Sequence, residues 1–293
     1  MQSFEHEIRT LDGRLLTVLV EGPPEGDPVF FLHGTPGIRG LYERELEEGA
    51  RRRLRHFFYS RPGYAGSDRQ PGRSISDCAA DIGAIADELG IGDFYVVGES
   101  GGSSHALACA ALLPDRVRAV VTLAGLAPVN AEGLVWEKGM GEGNRTEFAA
   151  MREGVDALQE YLESEVRALR AIRTKAQLLA ALDKHLCAAD RAEIDGDFGE
   201  YLLAAWRQVG EDGIEGWLDD DLAHGKDWGF ELAQVTPPTA VWHGRDDLIV
   251  PWRHGVWLAD HLPNAKCRLF AGEGHISLTS HYGAVLDTLM ENG

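Results

Sequence analysis

Short apolar runs, bounded by glycine, proline or charged residues, recur along this chain and alternate with segments of helical spacing. Continuous apolar runs are typical of strands that are buried on both faces. We expect such strands at residues 29–32, 56–59, 94–97, 117–123, 239–242 and 267–270. The segments between them predict helices at 41–54, 76–89, 106–113, 252–261 and 278–290. This alternation predicts an α/β fold with a mostly parallel central sheet.

The first part of the chain departs from this alternation. Apolar positions at 4–9 and 15–20 flank Asp12-Gly13, which is a two-residue hairpin turn signal. We therefore expect an N-terminal antiparallel hairpin.

A second departure covers residues 128–235, where apolar positions keep a helical spacing and no strand pattern occurs. We interpret this segment as a helical cap, or lid, inserted into an α/β core of residues 1–127 and 236–293. The cap is acidic and contains the run Asp219-Asp220-Asp221, which we expect to form a solvated face. Its tryptophans are expected to pack the cap rather than to contact a ligand.

Composition narrows the classes of partner. The 293 residues include 28 Lys and Arg against 47 Asp and Glu, a net charge of −19, which repels phosphate backbones and anionic lipid. We expect no nucleic acid and no membrane as partners, a small-molecule substrate, and a possible homodimer. Without a signal peptide or membrane-span pattern, a cytoplasmic location is predicted. The four cysteines lack paired spacing and predict neither a disulfide framework nor a metal site.

The segment Gly98-Glu99-Ser100-Gly101-Gly102 joins the apolar run 94–97 to a helix-forming stretch. A serine at a sharp turn from strand to helix is the arrangement of a nucleophile elbow, in which the serine hydroxyl projects. The glycines let the two backbones pass closely, and the helix directs free N–H groups and its positive dipole end at the same place. Ser100 is therefore a candidate nucleophile.

A serine nucleophile requires a general base and an acid that orients it. Asp247 follows the predicted strand 239–242, and His275 follows the predicted strand 267–270. Because the carboxyl ends of parallel strands share one edge of the sheet, these side chains are expected to converge on Ser100.

The order Ser100, Asp247, His275, with the loop His33-Gly34-Thr35-Pro36-Gly37 and the segment 60–68, resembles the α/β-hydrolase superfamily. The resemblance covers both ends of the chain and leaves the cap unmatched. It implies the α/β-hydrolase fold and a Ser-His-Asp triad that needs neither a metal nor an organic cofactor.

The resemblance also assigns roles to neighbouring residues. Asp247 is preferred to Asp246 as the acid, because the family places it four residues before a proline, here Pro251. The oxyanion hole is expected from backbone N–H groups of Thr35 and Gly101. The loop residues His33, Gly34, Gly37 and Glu99 are expected to support the site, and Arg61 to brace loops.

These features predict a serine hydrolase that cleaves a carboxylic ester or a related acyl bond of a small molecule. Serine at the elbow argues against haloalkane dehalogenase and epoxide hydrolase chemistry, where aspartate stands at that position. The loop at 33–37 resembles His-Gly-Gly-Pro-Gly of proline iminopeptidases, with Thr35 replacing its second glycine. Those peptidases have a bulky residue after the nucleophile, where this chain has Gly101. A proline iminopeptidase-like aminopeptidase and a slow or non-catalytic small-molecule receptor stay open.

Overall fold

Eight strands form one central sheet in the computed structural model of the protein, which describes residues 3–293. In chain order the strands are β1 (Ser3–Arg9), β2 (Leu15–Glu21), β3 (Asp27–Leu32), β4 (Leu54–Tyr59), β5 (Phe94–Glu99), β6 (Val117–Leu123), β7 (Thr239–Gly244) and β8 (Ala265–Phe270). Their spatial order is β1-β2-β4-β3-β5-β6-β7-β8. β2 pairs antiparallel with β1 and β4, and all other pairs are parallel. The mostly parallel sheet and the N-terminal hairpin are thus confirmed.

Helices cover both faces of the sheet, and a group of them lies between β6 and β7 in the chain. They are α1 (Glu43–Arg51), α2 (Asp77–Glu88), α3 (Gly102–Leu112), α4 (Glu142–Glu153), α5 (Val155–Ala171), α6 (Lys175–Leu182), α7 (Ala188–Asp195), α8 (Phe198–Asp212), α9 (Glu215–His224), α10 (Arg253–His261) and α11 (Tyr282–Asn292). Short 3₁₀ turns occupy Asp183–His185, Leu232–Gln234 and Ser277–His281.

The central strands are buried on both faces because successive side chains point to opposite sides. Phe30 of β3 packs in an apolar cluster with side chains of α2, α3 and α10. Its neighbour Phe31 packs in a second cluster with side chains of α11. The sheet is therefore the middle layer of three, and the loops at the carboxyl ends of its parallel strands share one edge.

Some predicted boundaries are wrong. The hairpin turn encloses three residues rather than two, because the N–H of Thr10 donates to the carbonyl of Arg14 and Gly13 adopts a φ of +89°. β4 begins at Leu54, inside the predicted helix 41–54. α3 begins at Gly102 instead of residue 106, because the helix starts directly from the corner at Ser100.

We call α4 to α9 the cap helices. They share an apolar cluster, to which Leu162, Leu178 and Leu202 contribute. The expectation that Asp219, Asp220 and Asp221 form a solvated face is wrong, because these residues are only 3%, 0% and 4% exposed. Two of the three carboxylates are buried against arginines of the core loops, and the third faces a cavity.

Candidate active site

Ser100 occupies a strained corner between β5 and α3. Its φ is +50°, in the left-handed region that non-glycine residues rarely adopt, and its N–H donates to the carbonyl of Leu123 at 2.7 Å. The glycines around it are required by close packing. A β-carbon on Gly102 would lie 2.1 Å from the carbonyl oxygen of Leu32, and one on Gly98 would lie 2.6 Å from that of Gly102. The geometry is that expected of a nucleophile elbow.

Asp247, rather than Asp246, contacts the histidine. Its Oδ2 lies 2.8 Å from Nδ1 of His275, and its Oδ1 accepts from the N–H groups of Ile249 and Val250 at 2.8 Å each. Asp247 is 3% exposed, whereas Asp246 is exposed to solvent. Burial alone would raise the pKa of Asp247, but the charge and hydrogen bond of His275 hold it below its usual range. The carboxylate therefore stays ionised and orients the imidazole.

The imidazole of His275 is held in an electronegative environment. Burial acts to lower its pKa, but the charge and hydrogen bond of Asp247 outweigh burial. Glu99 and Asp190 act in the same direction, so the pKa of His275 is raised to about 9. Ser100 and His275 line the same cavity, although no hydrogen bond joins their side chains within residues 3–293. Nε2 of the imidazole is thus left for a partner in the cavity.

The loop at residues 33–37 lies against the nucleophile. A β-carbon on Gly34 would lie 3.3 Å from Cβ of Ser100, and Thr35 and Gly101 both line the cavity beside it. Across residues 3–293, the backbone N–H groups of Thr35 and Gly101 donate to no protein acceptor. They are consequently available to an oxygen atom held next to Ser100.

Thr35 and Gly101 also fit each other sterically. A β-carbon on Gly101 would lie 2.5 Å from Oγ1 of Thr35, closer than side chains pack. With threonine at position 35, therefore, no side chain fits directly after the nucleophile.

His33, Gly34 and Gly37, which are predicted to support the site, belong to this loop, and Arg61 packs against it. Nε2 of His33 accepts from the backbone N–H of Arg61 at 3.2 Å, and Nδ1 is 2.8 Å from the carbonyl oxygen of Gly34. Burial and the charge of Arg61 lower the pKa of His33 well below its ordinary value, so the ring is neutral. Gly37 packs against that ring, with room for no β-carbon, since one would lie 2.3 Å from Cε1 of His33. Arg61 donates to the carbonyls of His33 and Gly34, which confirms its predicted bracing role.

The sequence did not predict that a cap carboxylate fixes this loop. Asp220, on α9, accepts from Oγ1 of Thr35 at 3.0 Å and from the hydroxyl of Tyr64 at 2.9 Å. It also accepts from the guanidinium groups of Arg61 and Arg73, at 2.6 and 2.8 Å, and its Oδ1 lies 3.7 Å from Nε2 of the buried His105. All of these partners are distant in the chain, so no local pattern could have revealed them.

A cavity of about 270 Å³ lies between the core loops and the cap helices, next to Ser100. Much of its wall is apolar and comes from Leu126, Phe148, Leu169, Ile172, Leu178 and Leu202. Trp206 and Trp217 line it too, contrary to the expectation that the cap tryptophans only pack the cap. The cavity is therefore suited to a small, largely apolar ligand.

Carboxyl groups interrupt the apolar wall on the cap side. Glu147, Glu165 and Asp221 line the cavity, and Oδ2 of Asp221 is buried without a hydrogen-bond donor among the described residues. Burial raises the pKa of Glu147 to about 7, and burial and the charge of Glu147 raise that of Asp221 well above its ordinary value. No sequence pattern points to these positions beyond the acidic composition of the cap.

Residues 3–293 contain neither a cluster of metal ligands nor a helix that could span a membrane. No three His, Cys, Asp or Glu side chains are grouped so that they could hold a metal ion. No helix in this range has the length and apolar character needed to cross a bilayer.

The chain belongs to the alpha/beta hydrolase fold family, whose sequence model matches residues 27–282. It is 28% identical to a proline iminopeptidase of Neisseria meningitidis serogroup B, over 85% of this chain and 83% of that protein. It is 27% identical to a pimeloyl-[acyl-carrier protein] methyl ester esterase of Nitrosomonas europaea, over 91% and 95%. A thermophilic esterase from Thermogutta terrifontis has the same fold, with a TM-score of 0.70, 19% identity and 98% coverage of both chains. Membership of this family supports a hydrolase.

Proposed function

We propose that the protein is a serine hydrolase that cleaves a carboxylic ester or a related acyl bond of a small molecule. The observation that carries this proposal is the placement of Ser100, at a strained strand-to-helix corner, and of His275, oriented by Asp247, on the wall of one cavity. In this proposal Ser100 is the nucleophile, His275 the general base and Asp247 the acid that orients it.

The reaction proceeds in two halves. Nε2 of His275 takes the proton of Ser100 as Oγ bonds to the substrate carbonyl carbon, and the carbonyl oxygen becomes an oxyanion that the N–H groups of Thr35 and Gly101 stabilise. The carbon–oxygen bond to the leaving group then breaks, and His275 protonates the departing oxygen. Water, deprotonated by His275, then attacks the acyl-Ser100 ester. The acyl–Oγ bond breaks, His275 returns the proton to Oγ, and the acid is released.

A small ester suits the cavity. The volume of about 270 Å³ and the apolar wall favour a short or medium acyl group, and removal from water strengthens the hydrogen bonds to the oxyanion. A methyl ester esterase is among the relatives, which supports ester chemistry on this fold.

The test is labelling with a fluorophosphonate, peptide mapping and turnover of short-chain p-nitrophenyl esters. We expect label on Ser100, and a loss of at least about 10³-fold in kcat for Ser100→Ala, as for other triad nucleophiles. Ser164→Ala, at an exposed position on α5, is the control that should keep full activity. An unlabelled Ser100, or esterase activity retained by Ser100→Ala, would refute the proposal, and binding without turnover would then favour the receptor.

A second candidate function, an aminopeptidase, is favoured by the carboxyl groups of the cavity. Asp221 and Glu147 form a buried carboxyl pair. Outside this pair Oδ2 of Asp221 has no hydrogen-bond donor among the described residues, while Oε1 of Glu147 already accepts from Nε1 of Trp217 at 2.6 Å. A substrate ammonium group would supply the missing donor and favour ionisation of these carboxyls. The carboxyls would then hold the free amino end of a substrate while Ser100 attacks its first carbonyl.

Proline anilides with free and acetylated amines separate the two candidates. Asp221→Asn should raise the KM of the free amine at least about 10-fold, the scale of a lost charge-assisted hydrogen bond, and leave that of the acetylated analogue unchanged. The KM of the free amine should also fall as pH rises through about 7, because the carboxyl of Glu147 ionises there. Turnover of esters alone, with no effect of Asp221→Asn, would exclude the aminopeptidase.

A further inference from the structure

Asp190, on α7 of the cap, lies against the loop that carries His275. Its Oδ1 accepts from the backbone N–H groups of Ile276 and Ser277 at 2.9 and 2.8 Å. Its Oδ2 accepts from the N–H of His275 at 3.3 Å and from that of Cys187 at 3.3 Å. One fully buried carboxylate thus binds three successive N–H groups of the histidine loop.

The loop is shaped around this carboxylate. A β-carbon on Gly274 would lie 2.1 Å from Oδ2 of Asp190, so only glycine fits immediately before His275. The N–H groups that meet Asp190 open the 3₁₀ turn Ser277–His281, which leads into α11. Unpaired N–H groups at the start of a helical segment favour a nearby anion. Here that anion is the carboxylate of Asp190 on α7.

We propose that Asp190 is a positioning residue, which fixes the backbone of His275 and thereby directs its imidazole toward the nucleophile; this inference rests on the proposed serine hydrolase function. Asp247 orients the ring from its Nδ1 side, and Asp190 fixes the main chain from which that ring projects. The histidine is consequently held by one carboxylate from the core and one from the cap.

The pKa of His275 distinguishes the charge of Asp190 from its packing, because it responds to that charge. Three carboxyl groups face His275: Asp247 after β7, Glu99 at the end of β5, and Asp190 on α7, and each favours the protonated ring. Removing the charge of Asp190 must therefore lower the pKa of His275.

The experiment compares Asp190→Asn with Asp195→Asn, an exposed aspartate on the same helix. NMR titration of the His275 ring measures its pKa without turnover, and ester kinetics measures kcat and KM. For Asp190→Asn we expect a lower pKa of His275. We also expect a kcat, compared above pH 9 where the imidazole is neutral in both proteins, that is reduced by up to about 100-fold, the effect of displacing a reacting group by about 1 Å, with KM changed little. Asp195→Asn should match the wild type in both.

Asp190→Glu keeps the charge on a longer side chain. It is the second test of the inference if Asp190→Asn does not fold. It should keep the pKa of His275 raised while kcat falls, because the carboxylate no longer fits beside Gly274. The inference would be overturned if the folded Asp190 variants had the same pKa of His275 and the same kcat as Asp195→Asn. A wild type that is unlabelled at Ser100 would overturn the proposed function instead, and the NMR titration would still decide whether Asp190 acts on His275.

Discussion

Replacement of Asp220 by asparagine should lower the free energy of unfolding by about 3–5 kcal/mol, because removing one partner of a buried ion pair leaves the other charge uncompensated. The carboxylate is fully buried and accepts from Arg61, Arg73, Tyr64 and Thr35. Arg61 is itself 1% exposed, so water cannot replace the lost partner. The unfolding entropy of a chain of this length is about 0.6 kcal/mol per kelvin, so Tm should fall by about 5–8 °C.

Guanidinium and thermal unfolding of the wild type and Asp220→Asn measure this loss in the free energy of unfolding. The matched control is Glu137→Gln, which breaks an exposed ion pair with Arg152 and should cost less than about 1 kcal/mol. Burial acts to raise the pKa of Asp220, but Arg61 and Arg73 hold it well below its ordinary value. The stabilisation is therefore present above the unfolded pKa of about 4 and is lost only as pH falls through the folded value. If Asp220→Asn costs no more than Glu137→Gln, the buried network does not stabilise the fold and the reasoning is refuted.

Three further outcomes concern the residues of the proposed catalytic site. Gly101→Ala should reduce ester kcat/KM by up to about 10²-fold, because its β-carbon would lie 2.5 Å from Oγ1 of Thr35. Adding Thr35→Gly should recover activity, and no recovery in the double variant would contradict the steric match of Thr35 and Gly101. Ester kcat/KM should rise with pH through about 9, the raised pKa of His275, because only the neutral imidazole accepts a proton; a profile flat from pH 6 to about 10 would count against that base. Asp247→Asn should lower kcat by about 10⁴-fold and exposed Asp246→Asn by less than about two-fold, as steady-state kinetics will measure; the reverse order would move the acid role to Asp246.

The sheet and the candidate triad could be predicted because their signals are local. The central strands are continuous apolar runs, and Ser100 and Asp247 each follow one of them. The prediction of a buried strand at 267–270, before His275, is wrong, because β8 is an edge strand with no fully buried residue. The hairpin turn shows where local signals end, because Asp12-Gly13 predicts a turn but not whether two or three residues are enclosed.

The contacts between cap and core could not be predicted in this way. Asp190 and Asp220 are two acids among many in the cap, and their partners lie far away in the chain. A charged run in isolation is most often solvated, and only the approach of Arg61 and Arg73 makes burial of Asp220 favourable. Whether an acidic run is buried or solvated is therefore decided by ion pairs between residues far apart in the chain, which composition does not predict.

The two cap carboxylates also restrict how a substrate reaches the cavity. Rigid-body opening of the cap would pull Asp220 from its arginines and Asp190 from the histidine loop, so the site would come apart whenever a ligand exchanged. Two residues of the cavity wall, Ala168 on α5 and Ala181 on α6, are exposed to solvent. The cavity wall thus reaches the surface at α5 and α6, and a path there would leave Asp190 on α7 and Asp220 on α9 in place.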